Sequence, residues 1–412
     1  MRGMRVWARL LGVERAIIED AVLEEPTGAL VVRVRPQRRD RSRCGICRRR
    51  CPGYDAGDGR RRWRALDLGT TRAYLEADAP RVRCPEHGVV VAAVPWARHG
   101  AGHTRAFDDT VAWLAAHCSK SAVGVLTRVA WRTVGAIITR VVADGRAARD
   151  PLAGLRRIGI DEISYRRGQR YLTVVVDHDT GRLVWAADGR SEATLEAFFD
   201  ALGPERSAAI ALVSADAAPW IARVVGRRCP GATLCTDPFH IVAWATEALD
   251  AVRREVWNAA RRHGETTLAQ DLKGARYALW KNPEDLTERQ QTKLAWIAAT
   301  NEPLYRAYLL KEQLRLVFSA RGAAGIEFLD GWLAWARRCQ IPAFVELARK
   351  VARNRPGIEA ALTHGLSNAR VEAVNTKIRL LTRIAFGFRS ATALIALAML
   401  SLGGLCPPLP GR

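Results

Sequence analysis

The sequence predicts a multidomain α/β protein, and three observations support that fold class. Its 412 residues exceed the roughly 100–200 residues of an ordinary domain. Four of its nine cysteines fall within the first hundred residues, among short strand-like runs. Strand and helix patterns then alternate over residues 156–236, and only helical patterns follow. With 49% hydrophobic and 26% charged residues, the composition excludes a chain that is disordered throughout.

The charge balance indicates a polyanionic partner. Lys and Arg number 64 and Asp and Glu 42, which leaves a net charge of +22, and a field of that sign attracts nucleic acid. The apolar run Ala391–Cys406 contains Thr, Ser and Gly and is shorter than the ~20 residues that span a bilayer, so we interpret it as a buried helix. The N-terminus has no signal-peptide pattern. We expect a cytoplasmic protein that associates with nucleic acid and has no membrane partner.

Residues 1–98 are predicted to form a small zinc-binding β module. Cys44 and Cys47 have the spacing with which one turn presents two sulfurs to a tetrahedral ion, and Cys84 and His87 repeat it. One structural Zn²⁺ would stabilise a unit with few large apolar residues. Cys51 is an alternative ligand to Cys47. The alternative to a metal site is that the four Cys and His side chains are unrelated. The arginine-rich stretch 33–64 suits phosphate contacts, although such a run is also typical of a solvated face.

Residues 104–145 are predicted to form a helix-turn-helix. Two short helices precede a third that begins near Trp131, and Ser119 or Ser121 can cap the second. The third helix carries Arg132 and Arg140 on its polar side, where a recognition helix would meet the major groove. A plain helical spacer is the alternative interpretation.

The element order over residues 156–236 predicts a ribonuclease-H-like domain. Three strands joined by short turns indicate an antiparallel meander, because parallel neighbours need a long crossover. Strand and helix patterns then alternate, which indicates parallel additions to the same sheet. We expect this domain to comprise residues 156–240 and 363–405, with a helical insertion at 241–362. The six Trp of the insertion are predicted to be mostly core, with some able to stack on DNA ends.

Three carboxylates stand at positions that call for an explanation. Asp161 lies within an apolar strand, where a carboxylate is costly unless something compensates it. Asp216 follows the apolar run 210–213, at the strand end where open α/β sheets bind ligands, or it caps the next helix. Glu372 lies on the polar face of a predicted helix, and this face either has a function or is merely solvated. Glu162, on the opposite strand face from Asp161, is expected to pair with an Arg.

These residues lie in motifs that resemble one protein family over nearly the whole chain. The family is that of the bacterial DDE transposases of the ISL-three group of insertion sequences. The motifs in the second part of the chain are Gly159–Glu162, Val213–Asp216, Asp237–Val242, Ser367–Ile378 and Arg383–Arg389. In the first part, Arg62–Gly69, Val82–Gly88 and Val94–Arg98 resemble the zinc-binding module of that group. Ala369 and Ala373 stand where we would expect Gly, without affecting a predicted ligand.

The resemblance implies a DNA transposase. It places the acidic triad of the family on Asp161, Asp216 and Glu372, as ligands of two Mg²⁺, or Mn²⁺, that catalyse 3′-end cleavage and strand transfer. Its partners would be double-stranded DNA, as transposon ends and target, and further copies of the chain in a dimer or larger assembly. The alternative is an inactive or domesticated regulator that only binds the same repeats. Supporting roles are expected for Asp237, His240, Asn368 and Asn375. The predicted DNA-binding residues are Arg48, Arg49, Arg50, Arg61, Arg62, Arg132, Arg140 and Arg379.

Overall fold

The computed structural model of the chain describes residues 6–8, 10–13 and 15–411. The predicted zinc module 1–98 therefore begins with residues outside the described ones. The chain divides into two compact units. The first comprises residues 1–150 and 384–412, and the second comprises residues 151–383.

The first unit opens with two small β-sheets. The four-stranded sheet has the order β1-β2-β5-β4, in which β2 and β5 are parallel and the other pairs antiparallel. Its inner face is apolar, and the rings of Trp63 and Trp96 meet there edge to face at 5.6 Å. The three-stranded sheet has the antiparallel order β3-β6-β7. The strands are β1 Ala16–Glu24, β2 Ala29–Pro36, β3 Gly53–Asp55, β4 Arg60–Arg64, β5 Ala73–Asp78, β6 Arg81–Cys84 and β7 Gly88–Val91, with a 3₁₀ turn at Arg38–Asp40.

Among the described residues of the first unit, four helices follow the two sheets. They are α1 Arg105–His117, α2 Lys120–Thr127, α3 Trp131–Ala148 and, at the end of the chain, α16 Ala391–Leu402. The hydroxyls of Thr104 and Ser119 cap α1 and α2 by accepting hydrogen bonds from backbone N–H groups. Helix α16 packs against α1 and α3. The predicted catalytic segment 363–405 is thus divided between the two compact units at Ile384.

No single helix in the described part of the chain is long and apolar enough to cross a membrane. Helices α2 and α3 together have the length and composition of a membrane span, and the pair is bent by 101°.

The second unit is built on a five-stranded sheet of order β10-β9-β8-β11-β12. Strands β8, β9 and β10 are antiparallel neighbours, whereas β11 is parallel to both β8 and β12. This is the predicted ribonuclease-H-like order. The strands are β8 Arg157–Arg166, β9 Arg170–Asp177, β10 Leu183–Asp188, β11 Leu212–Ala215 and β12 Thr233–Thr236, and the helices between them are α4 Glu192–Leu202, α5 Pro204–Ala208 and α6 Pro219–Arg228. Ile158, Ile160 and Val213 pack against Phe198 and Phe199 on one face.

A helical domain separates β12 from the last helix of the second unit. Trp332 is fully buried in its core and donates a hydrogen bond to the carbonyl of Leu310 at 2.8 Å, and the other five Trp pack partly buried around it. This confirms that the Trp side chains are mostly core. The helices are α7 Pro238–Arg262, α8 Thr266–Lys273, α9 Arg276–Trp280, α10 Glu288–Thr300, α11 Glu302–Val317, α12 Gly322–Arg338, α13 Pro342–Arg353 and α14 Arg355–His364, with a 3₁₀ turn at Pro283–Asp285, and α15 Ala369–Ile384 follows.

Candidate active site and metal centre

The structure gathers the four predicted zinc ligands. The ligand atoms of Cys44, Cys47, Cys84 and His87 all lie within 4.8 Å of one another. Cys47 Sγ is 3.7 Å from Cys84 Sγ, and Cys84 Sγ is 3.5 Å from Nδ1 of His87. A tetrahedral Zn²⁺ with Zn–S of about 2.3 Å and Zn–N of about 2.0 Å requires S–S and S–N separations of about 3.8 and 3.5 Å. The side chains therefore fit zinc.

Local backbone geometry explains why these two turns can meet. Gly45 follows Cys44, and a Cβ at this position would overlap the ring of His99 and the carbonyl of Val91.

The hydrogen bond to His87 lowers the pKa of Cys84 to about 6, which favours the thiolate that binds metal. Cys51 is buried outside the group of four and directs its Sγ to the carbonyl of Arg49 at 3.4 Å. Cys47, rather than Cys51, completes the cluster.

The predicted DNA-binding arginines of the first unit fall into two classes. Arg49, Arg50 and Arg132 are exposed and, among the described residues, have no carboxylate within 4 Å. Arg62 instead pairs with Glu24 at 3.0 Å and with Glu76 at 3.1 Å. Arg61 donates to the carbonyl of Ala101 at 2.8 Å, and Arg48 lies 3.4 Å from the carbonyl of Val94. Of these six arginines, Arg62 is the one paired with carboxylates in the described chain, and the other five retain their charge for a partner.

Arg140, a predicted DNA contact, pairs with a buried carboxylate on a neighbouring helix. Its guanidinium donates two hydrogen bonds, at 2.9 and 3.1 Å, to Asp108, which is 0% exposed. Arg98 lies 3.7 Å from the same carboxylate. A buried carboxylate needs such partners, so Arg140 holds α3 against α1.

The second unit carries the predicted acidic residues at the sheet ends and on α15. Asp161 lies half-buried in β8 and accepts hydrogen bonds from the backbone N–H of Glu162 and from Nδ2 of Asn375, both at 2.7 Å. Burial, together with the charge of Asp216, raises the pKa of Asp161 to about 7. No Lys or Arg among the described residues lies within 4 Å of this carboxylate.

Asp216, immediately after β11, is the centre of a compact group. Its Oδ1 lies 2.7 Å from Nε2 of His240, and the Asp216 carboxylate raises the pKa of that histidine. Asp237, which is 2% exposed, precedes α7. Ligand atoms of Asp216, Asp237 and His240 all lie within 4.8 Å of one another, a spacing at which they could share one metal ion.

Glu372 occupies the first turn of α15 and is half-buried. Burial raises its pKa, and the charges of Asp237 and Asp216 raise it further. Within the described chain, the tight group formed around Asp216 includes neither Asp161 nor Glu372. The structure thus places Asp161 and Glu372 in the electrostatic field of the group without bringing the triad oxygens together within 4.8 Å.

Comparisons with known proteins match three consecutive parts of the chain. Residues 158–398 match a family model described as a transposase of the ISL3 type. Residues 92–142 match the helix-turn-helix domain of transposase family ISL3, and residues 40–87 match the zinc finger of the transposases IS204, IS1001, IS1096 and IS1165. The first of these matches covers more than half of the chain.

This chain belongs to the ISL3 family of transposases. It is 62% identical over 436 aligned positions to the transposase for insertion sequence element IS1557 of Mycobacterium tuberculosis, in strains CDC 1551 and H37Rv, which covers 100% of this chain and 98% of the relative. It is 28% identical to the transposase for element IS1001 of Bordetella parapertussis, over 80% of this chain and 81% of that one.

A buried hydrogen-bond network holds the Glu372 helix of this transposase on its sheet. Asn368, just before α15, accepts a hydrogen bond from Ser214 in β11, and its Nδ2 donates to the carbonyl of Ile160 in β8 at 3.2 Å. Its backbone N–H donates to Asp237 Oδ1 at 3.1 Å. His178 extends the network with Nε2 2.7 Å from the Ser214 hydroxyl. Asn368 and Asn375 thus connect α15 to the strands that carry the acids.

Sequence reasoning missed two parts of this support. Gly159 leaves the room that α15 needs, because a Cβ there would overlap Cγ2 of Val371 and lie 2.8 Å from Nε2 of His178. The position of Gly159 within the motif Gly159–Glu162 was an available signal, since a close approach to the backbone favours glycine. His178, at the end of β9, offered no comparable signal.

Glu162 confirms its predicted role. Its carboxylate lies 2.8 Å from Nε of Arg190. The neighbour of Asp161 in sequence is therefore a paired side chain, and it provides a control for the unpaired acids of the transposase.

Proposed function

We propose that this transposase binds the terminal inverted repeats of its insertion sequence and catalyses Mg²⁺-dependent 3′-end cleavage and strand transfer through Asp161, Asp216 and Glu372. One observation supports this most: acids are concentrated at the end of the sheet without cations to neutralise them. Among the described residues, none of Asp161, Asp216, Asp237 and Glu372 has a Lys or Arg within 4 Å, and His240 is their one charged contact.

The oxygen atoms of the group are suited to a hard divalent ion. Buried oxygens of Asp237 and Asn375 have no hydrogen-bond partner among the described residues, and such atoms are costly unless a cation or water binds them. Mg²⁺ prefers carboxylate oxygens and retains several waters. Bound there, two such ions would supply an activated water and a stabilised leaving oxygen.

The side chains of the site have separate tasks in this scheme. Asp161 on the central strand, Asp216 after β11 and Glu372 on α15 would supply carboxylate oxygens to hold the ions. Asn375 orients the Asp161 carboxylate through its 2.7 Å hydrogen bond. Asn368 fixes the position of Glu372 relative to the sheet, because it forms hydrogen bonds with β8, with β11 and with Asp237. His240, with a pKa raised by its contact with Asp216, would balance part of the negative charge of the group.

DNA recognition is proposed for the first unit. The helix-turn-helix implies DNA binding, and Arg49, Arg50 and Arg132 are exposed without an acidic partner in the described chain. Zinc would hold the module that carries Arg49 and Arg50, so metal analysis of the purified chain should find one zinc per molecule. Synapsis of two ends would require a dimer or larger assembly on DNA.

The test is 3′-end cleavage and strand transfer of terminal-repeat DNA with Mg²⁺. D161N, D216N and E372Q should each lose more than about 100-fold in rate, beyond the 10–100-fold cost typical of residues outside the ligand set. E162Q is the matched control, because this carboxylate already pairs with Arg190. Equal activity of E372Q and the wild type would refute the site. Repeat binding without cleavage by the wild type would instead support a DNA-binding regulator.

A further inference from the structure

The recognition helix of the helix-turn-helix begins with an exposed tryptophan. Helices α2 and α3 are joined by the three residues 128–130, and the pair is bent by 101°, within the range of about 90–120° typical of this motif. Trp131 is the first residue of α3 and is 63% exposed. The N-terminal residues of a recognition helix contact base edges in the major groove. Trp131 therefore occupies a position from which a side chain can read DNA sequence.

Trp131 also belongs to the side of α3 that is free to enter a groove. The buried side chains of α3 are Val134, Ile137, Ile138, Val141 and Val142. Trp131 lies away from them with Arg132, Ala136 and Thr139, and these exposed residues occupy an arc of about 140° around the helix. Because Ala136 and Thr139 are small, this side of the helix can approach base pairs closely.

A buried lysine holds the tryptophan ring in place. Lys120, the first residue of α2, is 8% exposed, and its Nζ lies 4.6 Å from the centroid of the Trp131 ring. The ammonium also lies against the first turn of α3, since a Cβ at Gly135 would be 3.4 Å from Nζ. A cation over an indole face is attracted by the ring quadrupole, and desolvation strengthens the attraction. The ring is thus fixed at the start of α3 although much of its surface is exposed.

No acidic partner in the described chain accounts for the position of Lys120. Burial lowers the pKa of this lysine, and no charged neighbour there contributes to the shift. Lys293 also lies over a tryptophan, with Nζ 4.7 Å from the Trp296 centroid, but it pairs with Asp271 at 2.9 Å. Burial of an ammonium without an ion pair is costly, which indicates that the fixed ring of Trp131 has a use beyond packing.

We propose that Trp131 determines sequence specificity by packing against the 5-methyl group of a thymine in the major groove, and that Lys120 positions its ring. Thymine presents a methyl group in this groove, and apolar side chains read it by contact. The neighbouring Arg132 is exposed and supplies positive charge for the DNA backbone beside this contact. The inference rests on the proposed function, because it names the base feature that the repeat-binding helix recognises.

The experiment first selects the preferred binding sequence of the full-length protein from a random duplex library. Each thymine of that sequence is then replaced singly by deoxyuridine, which removes one methyl group and keeps the hydrogen-bonding edge. Loss of one buried methyl group corresponds to about 4-fold in affinity. The wild type should lose about that factor at one or more thymines, and W131A should bind the thymine and uracil duplexes equally there.

Further variants separate reading of the methyl group from general DNA binding. K120M removes the cation and should reduce the uracil effect at the same thymine, whereas K120R should keep it. R132Q should lower the log–log salt slope by about 0.9, the contribution of one phosphate contact, and leave the uracil effect unchanged. L126A is the matched control, because Leu126 is an apolar residue of α2 that is exposed to a similar degree, and it should change neither quantity.

The outcomes separate this inference from the proposed function. A uracil effect in W131A equal to that of the wild type at every thymine would overturn the assignment, as would a wild type that selects no sequence. Loss of the effect in L126A would also contradict it. Thermal unfolding checks the fold of each variant, and W131F, which keeps an aromatic ring, should retain part of the effect that W131Q loses. A selected sequence that is absent from the terminal repeats, with a uracil effect that depends on Trp131, would keep this inference and overturn the proposed binding of the repeats.

Discussion

Two buried aspartates of the molecule are compensated in opposite ways. Asp108, in the helix-turn-helix, is 0% exposed and accepts a bidentate pair of hydrogen bonds from the guanidinium of Arg140, with Arg98 3.7 Å away. Asp237, in the second unit, is 2% exposed, accepts a hydrogen bond from a backbone N–H and has one carboxylate oxygen without a partner in the described chain. The first carboxylate is neutralised within the fold, and the second belongs to a group that lacks a permanent cation.

The difference shows how a structural carboxylate can be told from a candidate ligand. A buried acid that only holds helices together has a fixed Arg, because an unpaired charge destabilises the fold. An acid that binds a divalent ion must be free of such a cation. Glu162 and Asp161 repeat the contrast within two residues, since Glu162 pairs with Arg190 and Asp161 has only hydrogen bonds from neutral groups.

The largest expected effect on stability is that of D108N. The variant would leave Arg140 and Arg98 without their buried partner and should lower the free energy of unfolding of the helix-turn-helix by about 3 kcal/mol or more. D161N, measured without metal, should cost less than about 1 kcal/mol, because it removes repulsion from Asp216 and a flipped Asn375 amide can bond to it. Hydrogen exchange at several urea concentrations resolves the two regions.

The comparison would break if the two variants behaved alike. Equal losses of protection in α1–α3 for D108N and in β8–β9 for D161N would mean that the acids at the sheet end are structural. R140Q serves as a control, because it removes the other partner of the Asp108 pair.

The next effect concerns His178, a buried residue of the second unit whose protonation is unfavourable in the folded state. Burial, with the charges of Arg370 and Arg157, lowers its pKa to about 4, from 6.5 in the unfolded chain. The unfolded state therefore binds the proton first, and stability falls as pH drops from 6.5 towards 4. Between pH 7 and pH 5 the loss should be about 2 kcal/mol.

H178Q should remove that part of the pH dependence. Its amide can still donate to Ser214, which preserves the network around Asn368. Urea unfolding at pH 7 and pH 5 measures the difference, and an undiminished pH dependence of the β8–β9 region in H178Q would contradict the assignment.

G159A should have a moderate effect that reaches the site through α15. The added methyl would overlap Val371 and crowd His178, and overpacking of this kind costs about 1–3 kcal/mol. Because Glu372 follows Val371, cleavage should fall by about 10-fold. The double variant G159A/V371A should recover part of the activity. G226A is the control, since a Cβ there meets nothing within 4 Å, and no rescue by V371A would argue against displacement of α15.

The smallest effect is expected in the DNA-binding unit. R132Q should lower the salt slope of repeat binding by about 0.9, the contribution of one phosphate contact. R62Q should change it much less, because Arg62 is already paired with Glu24 and Glu76. Fluorescence anisotropy at five salt concentrations measures both slopes. A larger change for R62Q than for R132Q would reverse the classification of paired and unpaired arginines.

Local patterns predicted the elements well, and long-range partners poorly. Period-2 alternation and short turns indicated the meander and the ribonuclease-H-like order, because both depend on neighbouring residues. The spacing within each of the pairs Cys44/Cys47 and Cys84/His87 is local too and indicated chelation, although the two pairs are far apart in the sequence. The apolar sequence of α16 indicated burial, but it contains nothing that specifies α1 and α3 as the surface that covers it.

The side-chain partners of charged residues show the same limit. Arg140 lies on the polar side of its helix, and its partner Asp108 is 32 residues away on another helix. Pairing of Glu162 was predicted because the strand alternation put it opposite Asp161, yet the identity of Arg190 was not. His178 reaches Ser214 and Asn368 only through the folded sheet. Charge partners depend on tertiary contacts that no single stretch of sequence specifies.

The most direct test of the central claim is oxidative cleavage of the chain by Fe²⁺ bound in place of Mg²⁺. Peroxide and ascorbate generate radicals at the bound iron that cut the nearby backbone, and mass spectrometry locates the cuts. We predict cuts next to Asp161, Asp216 and Glu372, suppressed by excess Mg²⁺ and absent in D161N, with none next to Asp108. Cuts confined to other parts of the chain, or a pattern unchanged in D161N, would contradict a divalent-ion site at the unneutralised acids.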